Sequence, residues 1–320
     1  MNTWSIAVDN NSFEGAGITK DCQNAVCVFI WNGYEAQAKE IFVSFEGVDM
    51  QEAPYLRIDD NGVGICHSTL HTTFGSFLSS QKKHKRIRIK SQTNKGKGRF
   101  SYTAFSHSAT WNTVYCEGGK KYEYSIVLDS TNKAIVQESD VVEIESSAKT
   151  IGTSVTIPLS DAKIHDLLSF AKMRNKLLEE FAWYLYLNKD AGIKLNYAGN
   201  DVDYNEYIDA DLSRHETVQI QNHAFLIDVV VWKSRIENTS KIYYINNTNE
   251  ITDAENTSFN KNAVNFFHGV FVKSDYFSEI PTLIGSDDES IVEYADGQKT
   301  IMRAVKNMFV KCSNVLCVTF

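Results

Sequence analysis

The stretch Leu56–Ile65, LRIDDNGVGI, begins as a short apolar strand and ends in two carboxylates followed by alternating glycines. A carboxylate at a strand end presents an acceptor to a pocket. Glycines just after it let the backbone approach a flat ligand or turn sharply without a Cβ clash. Asn61-Gly62 is also a common turn dipeptide, so what D-x-G-x-G means here depends on the sequence around it.

Upstream, residues 19–40 read as a helix, with Ala25, Cys27, Val28, Ile30 and Trp31 on a wide apolar face. Asn32 and Glu35 interrupt that face and, three residues apart, share one side of the helix. Polar groups beside a buried face must be paired or must face a ligand, so they serve either as a hydrogen bond to a sheet or as a cation or phosphate site. Gly33 costs about 1 kcal/mol against alanine in mid-helix, which implies close approach by a neighbour. Downstream, Thr93–Ser101 forms a glycine turn with Lys95, Gly96, Lys97, Gly98 and Arg99 leading into Phe100. Glycine amides flanked by Lys and Arg form either a phosphate cradle or a solvated basic loop. Gly152-Thr153 then opens a strand.

At 320 residues the chain has room for two domains, and 43% hydrophobic with 22% charged residues is an ordinary soluble composition. No apolar run reaches the length of a membrane span, and Met1–Gly15 lacks the basic and apolar regions of a signal peptide. The six cysteines form no C-x-x-C, so reduced thiols and a cytoplasmic location are expected, without disulfides or a zinc site. Net charge is −8, yet Lys82–Arg99 holds nine Lys or Arg and no Asp or Glu, so the remainder carries −17. One concentrated basic segment in an acidic chain suggests a local anion site more than a broad nucleic-acid surface. His67 and His71, at i and i+4, lack a third metal ligand and read as ordinary histidines.

The pattern predicts strands at 40–45, 110–116, 121–128, 134–144 and 152–158, with 66–94 irregular and carrying short helical pieces. A long helix is predicted over 165–187 and the domain boundary near 160, giving domains 1–160 and 161–320. The second half is predicted to hold strands at 193–197, 224–232, 241–245 and 269–273, a loop over the asparagine-rich 246–262, and a helix over 298–311.

The ordered set Asn32-Gly33-Tyr34-Glu35-Ala36, Asp60–Gly64, Lys95–Arg99 and Gly152-Thr153 resembles the GHKL ATP-binding superfamily of gyrase B subunits, ninety-kilodalton heat-shock chaperones, histidine kinases, MutL and MORC. The look is nearest to bacterial stand-alone members and covers about residues 15–160, the span of the motifs. DVVVWKSR, KIYYI and GVFVKSDYF resemble a MutL- or MORC-like transducer domain. The resemblance implies an α+β chain: a two-layer α/β sandwich, the Bergerat ATP-binding fold, followed by a smaller α+β domain. It implies ATP and Mg²⁺ as cofactors. Asn32 would ligate the metal. Asp60 would accept from the adenine amino group, with Thr153 assisting directly or through water. Gly62 and Gly64 would shape the base pocket. Gly96, Gly98 and the amides around them would close as a lid over the phosphates, Phe100 would be among the nucleotide-binding residues, and Lys95, Lys97 or Arg99 would supply charge. A second-domain lysine, Lys233, Lys241 or Lys273, would reach the phosphate. An ATP-dependent homodimer is implied, with a partner protein or nucleic acid as further candidates and no membrane.

One departure matters most. The family's ATPases carry a glutamate general base four residues before the asparagine, and Val28 stands there. Asp21 is about 16 Å from Asn32 by helix rise, too far to replace it. No catalytic residue is therefore assigned. The expected function is a nucleotide-driven conformational switch with slow hydrolysis. The alternatives are a non-hydrolysing scaffold and a nucleic-acid-linked ATPase of MutL or MORC type.

Overall fold

The computed structural model describes residues 1–5, 18–47, 54–74, 98–130, 135–159, 167–257 and 266–278. The predicted helix at 298–311, the loop residues Lys95, Gly96 and Lys97, and most of the basic segment lie outside them. The chain divides into two compact units, Met1–Leu177 with Lys189–Val202, and Leu178–Asn188 with Asp203–Phe320.

In the first unit the described strands are β1 (Asn2–Ser5), β2 (Glu40–Glu46), β3 (Tyr55–Asp60), β4 (Ser108–Glu117), β5 (Lys120–Asp129), β6 (Ile135–Glu138), β7 (Val142–Ile144), β8 (Gly152–Pro158), β9 (Lys194–Tyr197) and β10 (Asn200–Asp201). They form one sheet in the order β1-β6-β5-β4-β8-β3-β2-β9-β10, with β7 paired to β5. Alternation decides its faces. On β4, Ala109, Trp111, Thr113 and Tyr115 are buried, while Asn112 and Cys116 are exposed. Such a one-sided, mostly antiparallel sheet packs helices on its apolar face. Helix α1 (Cys22–Glu35) supplies that layer through Ala25, Val26, Phe29, Ile30 and Tyr34. The result is the two-layer sandwich that the resemblance implies.

The differences from the sequence reading have local causes. Helix α1 starts at Cys22 because Asp21 caps it, its Oδ1 accepting from Asn24 N at 2.7 Å. The predicted strand 134–144 splits into β6 and β7, both antiparallel to β5, and between them the Ser139 hydroxyl accepts from Ser125 N at 2.9 Å. The strand read at 193–197 joins the first sheet as β9, parallel to β2. Strand β1 was not foreseen, although it is well held. Trp4 donates to Glu138 Oε2 at 3.2 Å and its ring meets that of His71 at a tilt, 4.3 Å between centroids, and His67 meets Glu138 at 3.4 Å. The two histidines therefore serve the sheet edge, and among the described residues no group of metal-binding side chains occurs.

The second unit has strands β11 (Arg214–Ile220), β12 (His223–Trp232), β13 (Lys241–Ile245), β14 (Ile251–Asn256) and β15 (Phe267–Lys273), ordered β11-β12-β15-β13-β14. Strand β14 corrects the expectation of an uninterrupted loop over 246–262. Asn246 folds its own turn, its Oδ1 accepting from Thr248 N and Glu250 N, and the chain returns antiparallel to β13. Asparagine-rich sequence here encodes a hairpin turn. One sheet face holds Phe225, Ile227, Val229, Ile242, Tyr244, Val270 and Val272 under Tyr276 and Phe277. On the other, Trp183 and Tyr186 of α2 (Phe170–Leu187) pack on Tyr243 and Phe271, the Trp183 and Tyr243 rings stacked at 5.7 Å.

Trp183 is fully buried against that stack. Trp183→Ala is expected to destabilise the second unit by about 3–5 kcal/mol, read as an earlier urea transition; a shift below about 1 kcal/mol would contradict this packing.

Candidate functional site

Asp60 ends β3 on the face that meets α1. The mid-helix Gly33 is the reason it fits: a Cβ there would lie 2.8 Å from Ile41 Cδ1 and 3.1 Å from Asp60 Cβ. The glycine that costs helix propensity lets the helix lie directly on the carboxylate-bearing strand. Asp60 Oδ1 accepts from Gly62 N at 2.8 Å, and the backbone amide of Thr153 also bonds the carboxylate. Burial pushes the Asp60 pKa up to about 6, against the pull of the two amides, and the neighbouring Asp59 adds a smaller push in the same direction.

The loop after Asp60 is pinned on three sides. Asn61 Oδ1 accepts from Lys39 N at 2.8 Å and Glu40 N at 2.9 Å, and Val63 N donates to Ala36 O at 2.9 Å. Gly62 lies so close to the end of α1 that a Cβ would come within 2.6 Å of Ala36 O. Gly64 has φ +72°, and a Cβ there would sit 2.2 Å from Val114 O. Both glycines are required by backbone approach.

Thr153 is the register partner of Asp60 across β3 and β8, and of Thr113 across β8 and β4. Direct partners in antiparallel strands share a face, so Asp60, Thr153 and Thr113 form one polar row on the helix side. Thr113 was not foreseen. Its signal was a hydroxyl at an inward position of a strand whose other inward residues are Ala109, Trp111 and Tyr115.

Most of α1 is buried, whereas Val28, Asn32 and Glu35 are half-buried. Spaced at i, i+4 and i+7, they make a partly open strip along one side of the helix. Gly98 faces that strip: a Cβ there would lie 3.2 Å from both Asn32 Oδ1 and Val28 Cγ1. The Asn32 oxygen is a hard donor of the kind that Mg²⁺ takes alongside water and phosphate. Arg99 turns to aromatic rings, its guanidinium 5.4 Å from the Phe74 centroid and 4.9 Å from that of Phe100. Burial lowers its pKa to about 10, so it stays charged at neutral pH. Phe100 is wholly buried in the core. Within the second unit, Lys233 bonds Glu206 O at 3.2 Å and Lys241 bonds Asn238 Oδ1 at 2.8 Å.

A cavity of about 740 Å³ lies along the same strands, lined by Asp59, Asn112, Ser125 and Ser154 and also by Asp60, Thr113, Gly152 and Thr153. Along it Arg57 pairs with Asp59 and Glu46, and Lys149 with Glu123.

The raised Asp60 pKa has a stability consequence. Its carboxyl ionises near 3.8 when unfolded and near 6 when folded. It therefore favours folding fully at low pH, and that contribution is lost as pH rises through about 6. Between pH 4 and pH 7 the wild-type protein is expected to lose up to about 3 kcal/mol relative to Asp60→Asn, measured by urea unfolding. Parallel pH profiles for the two proteins would contradict the buried carboxylate.

Comparison with known proteins gives a family match within the first unit. Residues 20–155 match the family model described as histidine kinase-, DNA gyrase B-, and HSP90-like ATPase. A solved structure titled "Crystal Structure of N terminal domain of a DNA repair protein" is similar at 12% identity and TM-score 0.46, over 96% of this chain and 98% of that one. No curated protein matches the chain. The segment 20–155, which holds Asn32, Asp60, Gly98 and Thr153, is thus similar to the histidine kinase-, gyrase B- and HSP90-like ATPases, the GHKL family.

Proposed function

We propose that the chain is an Mg-ATP-binding conformational switch in which nucleotide binding outpaces hydrolysis. The match of residues 20–155 to an ATPase family model supports ATP binding in general. The observation that carries the reading to particular atoms is the Asp60 carboxylate. It is buried and held by two backbone amides, and two amides leave a carboxylate with further acceptor capacity for an adenine amino group. Asn32 would hold the ion through Oδ1. When bound, Mg²⁺ supplies charge neutralisation to the phosphates. Gly98 and the amides before it would cover the phosphates, with Lys95 and Lys97 contributing charge. We assign the second unit the transducer role, and ATP-dependent self-association is the expected form of the output.

Val28 supports the limit on hydrolysis. It lies on the same half-open strip as Asn32, one helical turn away, where a general base would be needed. Its apolar side chain also favours the second reading, a scaffold that binds ATP without cutting it and recruits a partner protein. Phosphate release separates the two. Slow magnesium-dependent turnover that disappears in Asn32→Ala supports the switch. ATP binding without turnover, with turnover gained in Val28→Glu, supports the scaffold. The basic segment keeps a nucleic-acid-linked ATPase as a third reading, supported if Lys82→Glu with Lys83→Glu removes DNA retention and leaves ATP affinity intact.

The ionised Asp60 is the acceptor, so ATP affinity is expected to rise with pH through about 6 and level off above it. Asp60→Asn should weaken ATP binding by roughly a hundredfold or more at pH 7.5, because an amide cannot accept from two backbone donors and the base as a charged carboxylate does. Calorimetric titration with Mg-ATP reads both effects. Equal affinity in the two proteins would remove the reading.

A further inference from the structure

Thr113 is buried to 1% exposure, and its hydroxyl joins the two backbone segments of the pocket. It accepts from Ile65 N at 2.8 Å, at the end of the D-x-G-x-G loop. It also lies 3.2 Å from Thr153 Oγ1 and 3.3 Å from Gly152 O, at the start of β8. A threonine hydroxyl has one proton and two lone pairs. The Ile65 amide occupies one lone pair. The single proton then has two destinations. If it goes to Thr153 Oγ1, the Thr153 hydroxyl is filled from behind and its own proton is left to point away from Thr113. If it goes to Gly152 O, Thr153 donates backwards to Thr113 and offers only lone pairs to the pocket.

The two arrangements suit different bases. Beside its amino donor, adenine carries an acceptor at N1, whereas guanine carries a carbonyl acceptor and an N1–H donor. With Asp60 taking the amino group, adenine N1 needs a donor, given directly or relayed through one water. Only the first arrangement supplies it. We propose that Thr113 is a positioning residue that fixes Thr153 as a donor toward the base, and so sets the preference for adenine through N1. This rests on the reading of the Asp60 pocket as an ATP site.

The test compares ATP with 1-deaza-ATP, in which N1 is replaced by C–H, by calorimetric titration of the full chain with Mg²⁺. Wild-type protein is expected to favour ATP by roughly tenfold, about one neutral hydrogen bond. Thr113→Val should bring the ratio within about twofold of one by weakening ATP while leaving 1-deaza-ATP nearly unchanged, and Thr113→Ser should restore the preference. A merely structural role would weaken both nucleotides together and keep the ratio. That result, or a tenfold preference persisting in Thr113→Val, overturns the proposal. If Thr113→Val does not fold, Thr113→Cys keeps the volume with a weak donor and should cut the ratio at least roughly threefold; an unchanged ratio there overturns it equally. Failure of ATP to bind wild-type protein would overturn the ATP-site reading itself, whereas ATP binding with an unaltered ratio overturns only the role of Thr113.

Discussion

The first unit depends on one buried carboxylate and the amides that hold it. Asp60 sits where strand β3 runs out, beneath α1 and beside β8, and both neighbours are shaped to its presence. Gly33 removes a side chain so that the helix can touch the Asp60 Cβ, and Gly62 and Thr153 turn their backbone amides toward its oxygens. A charge placed in such surroundings is costly unless several donors meet it. The raised pKa shows that the donors present only partly offset the cost. A carboxylate left with unused acceptor capacity in a buried row is well prepared for a ligand donor, and its destabilising charge is a strain that such a ligand would relieve.

Much of this was legible because the sheet is one-sided. Period-2 alternation gave β4, β5 and β8 nearly to the residue, and the D-x-G-x-G spacing singled out Asp60 over Asp59, whose side chain points to the opposite face. What remained hidden was set by contacts far apart in the chain. Nothing local to Gly33 says that Ile41 and Asp60 will press on it. Thr113 looked like any strand threonine until its register with Thr153 was known. The N-terminal strand is short and polar, and only its contacts with Glu138 and His71 explain why it pairs. The hairpin at 246–256 was hidden by its composition: asparagines that suggest an open loop instead close a tight turn through Asn246 Oδ1.

On the proposed reading, the strip Val28, Asn32 and Glu35 would separate recognition from chemistry. Asn32 is placed beside Gly98, with a hard oxygen on the half-open side of the helix. Val28, one turn before it, contributes shape and no base. Phosphoryl transfer relies largely on positioning and electrostatics, so loss of a general base lowers turnover without requiring loss of binding. On the proposed reading, such a strip would suit a protein that holds a nucleotide state for longer than an efficient ATPase does.

Nucleotide recognition in the proposed function depends on Asp60 accepting a hydrogen bond from the amino group of the base. The most direct measurement is the affinity of the full chain for ATP against N6,N6-dimethyl-ATP, which keeps the phosphates and ring but has no amino proton. Tight binding of ATP with loss of roughly a hundredfold or more for the dimethyl analogue is the expected result, since the buried carboxylate would be left without its donor. Equal affinity for the two would contradict it and place the base, or the nucleotide itself, elsewhere.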